Sequence, residues 1–403
     1  MPLPLLAEGL WRGLSSIPYG YTVLKSSSWV LVISLLKYYF GGARNTAERV
    51  MHGKVVIITG GTSGIGAAVV RDLALRGAQI ILLSRHAAND PFLVDYIDDL
   101  RSSTNNELVY AEQVDLSSLH SIRLFATKWI DNAPPRRLDM IVLCAAVMTP
   151  RWGSRQLTAD GLEEEWGVNY LANFHLLSIL SPAIRAQPPD RDVRILFSTC
   201  NSYIGASLDL TGTQKETSSG QRSYGRSKIA LMTFALAFQK HLDSYTRPDK
   251  QPNNTRAFLV DPGQSRTPGT RRWLTGGSLW GLLAYLITWP FWWLVLKSPE
   301  QGAQSFLLAA MEGELGRDAG GKLIKECRER DFLRSEVTDL EIAQKLWEFS
   351  EKQIEQTEKE SAVRRALAKK EKGAAYHASP LAESISGSKQ GKTSSSRNSR
   401  KAK

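Results

Sequence analysis

The 403-residue chain predicts an α/β fold, a doubly wound parallel sheet flanked by a hydrophobic N-terminal arm and a basic C-terminal tail. Three observations carry that prediction. From Lys54 the chain reads KVVIITGGTSGIGAAVVRDLALRGAQIILLSRH, in which a β-branched run (55–59) enters a glycine-rich turn. A stretch of helical period (Ile65, Val69, Val70, Leu73, Leu75) follows, and a second apolar strand (80–83) closes a βαβ unit. Further short strands recur downstream: one that Asp115 ends, one in DMIVLCAAVM, one at 194–197 and one at 255–260. Finally, 42% hydrophobic and 23% charged residues are ordinary for a globular chain and exclude collagen-like, disulfide-scaffold and wholly disordered classes. The length fits one large domain with appendages, drawn here as 1–50, 51–350 and 351–403.

The appendages account for most of the unevenness. The formal net charge is +11, yet residues 361–403 alone hold 11 Lys/Arg against two acids. That segment is Ser-, Gly- and Lys-rich with Tyr376 as its one aromatic, so it predicts a disordered tail and no nucleic-acid partner. An anionic membrane surface suits it better. Cys144, Cys200 and Cys327 are widely spaced without a CxxC, which suggests neither a disulfide framework nor a metal site and fits a reducing compartment.

Residues 274–296, LTGGSLWGLLAYLITWPFWWLVL, contain no charge in 23 positions, and five tryptophans lie between Trp273 and Trp293. The length would cross a bilayer, but Pro290 and the clustered indoles favour a segment at the interface. A strand precedes it (255–260), and 320–324 resembles the last strand of the same sheet. A single crossing would put these two strands on opposite sides of the membrane, so the segment must dip and return or lie on the surface. The weaker stretch WVLVISLLKYYF (29–40) is under no such constraint. A single anchor is the preferred reading, with a second interfacial helix or a hydrophobic arm left open. Lys37, Arg44, Arg49 and Lys54 would keep the domain cytosolic.

The chemistry-bearing residues form two groups. Gly60, Gly64 and Gly66, with Thr62, Ser63 and Ile65 between them, stand where a strand turns into a helix and lets a pyrophosphate reach backbone amides, a Rossmann-type arrangement. After the second strand stands Arg85, whose guanidinium can pair with a 2′-phosphate that a carboxylate would repel, so NADP(H) is the expected cofactor. The second group is SYGRSKIAL, where Tyr224 and Lys228 share one helical face. A phenol has a pKa near 10 in water, and an ammonium one turn away is expected to lower it towards a working range.

These motifs resemble the short-chain dehydrogenase/reductase family. Segments beginning at Lys297, Gly320 and Glu341 resemble its retinol-dehydrogenase-like branch. The resemblance implies that Asp115 contacts the adenine and that Pro262, Gly263 and Thr267 meet the nicotinamide. It further implies that Tyr224, Lys228, Asn169 and a hydroxyl form the catalytic set. Register from Gly205 makes that hydroxyl Thr199, with Ser198 beside it. Strand four departs from the family: Leu143-Cys144-Ala145-Ala146 stands where relatives carry Asn-Asn-Ala-Gly. The region after the Pro-Gly turn would form a substrate lid. The expected activity is interconversion of a lipophilic alcohol and its carbonyl at the endoplasmic reticulum or a lipid droplet, facing the cytosol, with a homodimer possible. The alternative is a catalytically weak, membrane-anchored scaffold recruiting partners through its tail. Thr338 and Glu341 predict a capping box for the last helix.

Overall fold

In the computed structural model, residues 20–151, 153–210 and 220–387 are described. The first 19 residues of the expected arm and 388–403 of the expected tail lie outside them.

Eight strands form one sheet in the order β3-β2-β1-β4-β5-β6-β7-β8. Strands β1 (Val55–Thr59), β2 (Gln79–Ser84), β3 (Val109–Gln113), β4 (Met140–Leu143), β5 (Val193–Ser198), β6 (Thr255–Asp261) and β7 (Lys322–Lys325) are parallel. β8 (Arg328–Arg330) returns antiparallel on β7. Its two turn residues, Glu326 and Cys327, both have φ of 51°, as a two-residue primed hairpin requires. Sequence reading missed β8 because neither residue is the Asn or Gly that usually marks such a turn.

β1 and β4 are buried at every position because helices cover both faces. On one face Val56, Ile58, Leu82, Val142 and Phe258 meet α2 (Gly64–Leu75), α3 (Pro91–Thr104) and α10 (Pro299–Met311) in one apolar cluster. Behind the other face lie α4 (Leu119–Ile130), α5 (Ala172–Arg185) and α6 (Gly220–Asp243). There Phe197 of β5 stacks edge-on to Phe234 at 6.2 Å, and Phe234 sits 4.8 Å from Phe174.

The uncharged stretch is three short helices: the end of α7 (Pro268–Leu274), then α8 (Leu279–Ile287) and α9 (Trp289–Val295). Its ends close on themselves, since Ser265 and Lys297 form a parallel bridge. Arg266 N donates to Lys297 O at 2.8 Å and Lys297 N to Gln264 O at 3.0 Å. The chain therefore leaves the sheet after β6 and re-enters beside the point of departure, and β6 pairs with β7. Before the domain, α1 (Gly20–Gly41) extends the 29–40 stretch toward the N-terminus. With Lys25, Lys37 and three serines in it, α1 has too little apolar length, and no described helix is long and apolar enough to cross a membrane.

Two expectations about the C-terminus are corrected. The last helix, α11 (Leu340–Gly387), is capped by Asp339, whose Oδ1 accepts from Glu341 N at 2.8 Å, while the Thr338 hydroxyl turns back to Ser335 O. Nor does the helix end at 350, where a disordered tail is expected to begin. The chain divides into compact units at Glu351/Lys352, and the second unit continues as helix to Gly387. Its Glu-, Lys- and Ala-rich composition favours helix, and Glu355 pairs with Lys359 one turn on.

Candidate active site

The glycine turn joins β1 to α2 at the carboxyl edge of the sheet. Gly60 adopts φ of 69° and lies so close to the β4 exit that a Cβ would come 2.7 Å from the Ala145 backbone. At Gly66 an added Cβ would run into the Gly60 carbonyl. Only hydrogen at these positions leaves the turn tight and the α2 amides accessible. Ser63 is the N-cap of α2 but makes no side-chain capping bond, so those amides stay open to an anion. This cradle fits the pyrophosphate of a dinucleotide. Thr267 borders it, with its methyl 3.2 Å from where a Gly64 Cβ would stand and its hydroxyl capping α7 through Thr270 N. Pro262 precedes Gly263, which turns at φ of 72° and donates its N–H to Asp261 Oδ1 at 2.9 Å.

Arg85 is exposed at the end of β2, and its guanidinium makes no ion pair with a described residue. Asp115 lies two residues beyond β3, where Oδ1 accepts from Ser117 N at 2.9 Å and fixes the loop that follows the strand.

Tyr224 and Lys228 lie on α6, and the Lys228 ammonium is 5.4 Å from the Tyr224 ring centroid. Lys228 is buried and donates to Ser198 O at 3.0 Å. Burial lowers its pKa. The phenol is raised well above 10, first by burial and next by the Cys200 thiol that engages it, with Glu165 and Asp261 acting in the same direction. The expectation that Lys228 brings the phenol down is therefore corrected. Desolvation outweighs the cation, and Tyr224 is held protonated.

Thr199 is buried, and its hydroxyl has no hydrogen-bond partner among the described residues. Side chains alternate along the extended chain leaving β5. Ser198 meets Cys144, and Cys200 meets Tyr224. Cys144 occupies the family's strand-four asparagine position, where burial pushes its thiol up to about 12. It holds Ser198 from the neighbouring strand, but it is a far weaker donor than a carboxamide.

Asn169 lies in a π-helical turn (Gly167–Leu171) that leads into α5. Its carboxamide makes a two-way pair with the Val147 backbone, at 2.7 and 2.9 Å, and reaches Ser227 Oγ at 3.2 Å. It thus straps the β4 exit to the α6 turn that carries Tyr224. Its backbone carbonyl accepts from Asn173 Nδ2 at 2.8 Å. Glu165, one turn earlier, is buried, accepts Thr149 N at 2.6 Å and leaves Oε2 without a partner among the described residues. Its carboxyl is raised, chiefly by burial. Glu165 and Cys200 belong to this site and were missed. In EEEWGVN and STCNS nothing local separates them from surface or packing residues.

The segment after β6 also touches the loop after β4. The Arg151 guanidinium stacks over Trp273, and Pro150 lies under Gly277, joining the lid to the loop after β4.

A family model described as short chain dehydrogenase matches residues 54–198. An oxidoreductase of Schizosaccharomyces pombe, pbr1, is 44% identical over 89% of this chain and 97% of its own. Retinol dehydrogenase 13 of Mus musculus is 32% identical over 78% of this chain and 87% of its own. Polyprenol dehydrogenase of Mus musculus is 32% identical over 79% and 89%. A crystal structure of an uncharacterized protein from Mycobacterium paratuberculosis superposes with a TM-score of 0.56 at 22% identity, over 78% of this chain and 98% of that one, a likeness of fold. With the glycine cradle and the Tyr224/Lys228 pair in one cleft, the chain belongs to the short-chain dehydrogenase/reductase family, in its retinol-dehydrogenase-like branch, as a nicotinamide-dependent oxidoreductase.

Proposed function

We propose that this oxidoreductase uses NADP(H) to interconvert a lipophilic alcohol and its aldehyde or ketone, at a cytosol-facing endoplasmic reticulum or lipid-droplet surface. The observation that carries the reading is the Tyr224/Lys228 pair on α6 in a chain whose 274–296 segment presents apolar residues outward. Leu279 and Trp280 are 84% and 81% exposed. Such a surface is sequestered by lipid more readily than by water. Arg85 supports the phosphate-bearing dinucleotide, since a free guanidinium at the end of β2 suits a 2′-phosphate.

Gly60, Gly64, Gly66 and the α2 amides would hold the pyrophosphate, Thr267 and the Pro262-Gly263 turn the nicotinamide end, and Lys228 the ribose beside it. When bound, the dinucleotide supplies or accepts hydride at the substrate carbon. Tyr224 gives its proton to the carbonyl oxygen in reduction and takes it back from the alcohol in oxidation. Ser198, whose carbonyl accepts from Lys228 and whose side chain meets Cys144, and Thr199 beside it would orient the oxygen. The apolar lid excludes water from that proton transfer.

The test is purified enzyme with NADPH and a panel of long-chain aldehydes, retinoids and ketosteroids. Wild type turns over at least one, and Tyr224→Phe loses about 10²–10⁴-fold in kcat while still binding NADPH, as general acid catalysis implies. Undiminished turnover in that variant would sink the mechanism. Membrane fractionation after deletion of 274–296 checks the location, with a wild-type pool that is entirely soluble counting against it.

A further inference from the structure

The N-terminal helix is fastened to the lid by a contact that the oxidoreductase chemistry does not require. Lys37 Nζ donates to Trp293 O at 2.6 Å and to Leu296 O at 3.2 Å, and lies 5.0 Å over the Trp293 ring. These carbonyls end α9, the returning leg of the lid. The last carbonyls of a helix have no intrahelical donor, and the axis dipole there favours a cation. One ammonium supplies both, together with a cation–π contact.

The fastening continues past α1. Gly42 turns at φ of 72° beside Lys297 and Glu326, which are ion-paired with each other. Ala43 N donates to Glu326 Oε2 at 3.2 Å, and Asn45 N to Gln304 Oε1 at 3.0 Å. Lys297 is the residue at which the lid re-enters the domain. The arm therefore grips the lid at its last turn and at its base. Elsewhere on α1, Trp29, Leu31 and Leu35 are each near 60% exposed. A simple tether would need no lysine within WVLVISLLKYYF, where a charge opposes burial in lipid.

We propose that α1 is the third element of the substrate lid, with Lys37 the positioning residue that holds α9 in place and lets the arm and the lid move as one body over the cleft. This rests on reading 274–296 as the lid of an alcohol/carbonyl oxidoreductase. The ligands it concerns are long-chain aldehydes and alcohols, whose chains extend beyond the reacting carbon onto α8, α9 and α1. A three-carbon aldehyde does not reach that far.

The experiment compares full-length wild type, Lys37→Met and Lys37→Arg. Lys37→Met keeps the aliphatic stem and removes the donors and charge, and Lys37→Arg restores both. Amide hydrogen exchange over Trp292–Lys297, read by mass spectrometry, is expected to accelerate about tenfold in Lys37→Met, the loss of roughly one charge-assisted hydrogen bond, and to return towards wild type in Lys37→Arg. With NADPH, the KM for dodecanal rises several-fold more than the KM for propanal in Lys37→Met, with kcat moving less than KM. Unchanged exchange in Lys37→Met overturns the proposal. So does accelerated exchange with equal effects on both aldehydes, which would make Lys37 a cap without a role in substrate entry. If wild type reduces neither aldehyde nor any other carbonyl, the oxidoreductase reading fails, and the exchange result alone then decides whether α1 and the lid are one unit.

Discussion

The same residue types meet opposite fates in two regions of this chain. In the sheet, Ile57, Ile58 and Phe197 are wholly buried between helices, whereas on the lid Ile287 is 72% and Phe291 56% exposed. Each buried aliphatic or aromatic side chain contributes about 1.5–3 kcal/mol, and that term is realised inside the sheet without help from any partner. On the lid and α1 it is not realised within the described residues. The described fold does not draw on the side chains of Ile287 and Phe291.

Substitutions on either side sharpen that contrast. The largest effect is expected in the core. Phe234→Ala should cost about 3–5 kcal/mol in denaturant unfolding, because Phe234 is buried among Phe174, Phe197 and Trp347. A loss under about 1 kcal/mol would mean that this face of the sheet repacks freely. At the cleft, Arg85→Glu should weaken NADPH by about ten- to hundredfold, the value of a charge-assisted hydrogen bond or two, and leave NADH little changed. Equal losses of both dinucleotides would break the cofactor assignment. A smaller effect concerns pH. Burial keeps the Tyr224 phenol neutral through physiological pH, so reduction, which consumes the phenol proton, should hold through neutrality and fall only as pH climbs towards the phenol's own pKa. Oxidation needs the phenolate and should rise over the same alkaline range. Matching profiles in the two directions would remove Tyr224 from the proton path. The smallest effect belongs to the lid. Leu279→Ala should alter unfolding by no more than about 0.5 kcal/mol, since Leu279 is largely exposed, while reducing vesicle binding measured by flotation.

What the sequence could reveal follows the same division between local and tertiary causes. The βαβ unit was legible because strand, turn and helix each carry their own pattern within 30 or so residues of Lys54. Tyr224 and Lys228 were legible because one helical turn brings them together. Cys200 and Glu165 were not, since each acquires its importance from an element far along the chain, α6 for the thiol and the loop after β4 for the carboxyl. Counting from Gly205 places Thr199 at the family's hydroxyl position, where its hydroxyl is buried and unpartnered among the described residues, while Ser198 and Cys200 meet other groups of the site. The extent of α11 was misjudged for another reason. Lys and Glu at helical spacing satisfy helix and disordered-tail compositions equally well, and the sequence offers no stop signal near 350.

The bridge between Ser265 and Lys297 makes the intervening chain interchangeable. An insertion whose two ends are already joined adds little entropy of closure as it lengthens, about 0.6 kcal/mol for each doubling, and does not alter the pairing of β6 with β7. Lineages can therefore exchange this cassette for shorter, longer or more polar versions while the cradle and the Tyr224/Lys228 pair stay fixed. Divergence of substrate range should then be concentrated between those two residues.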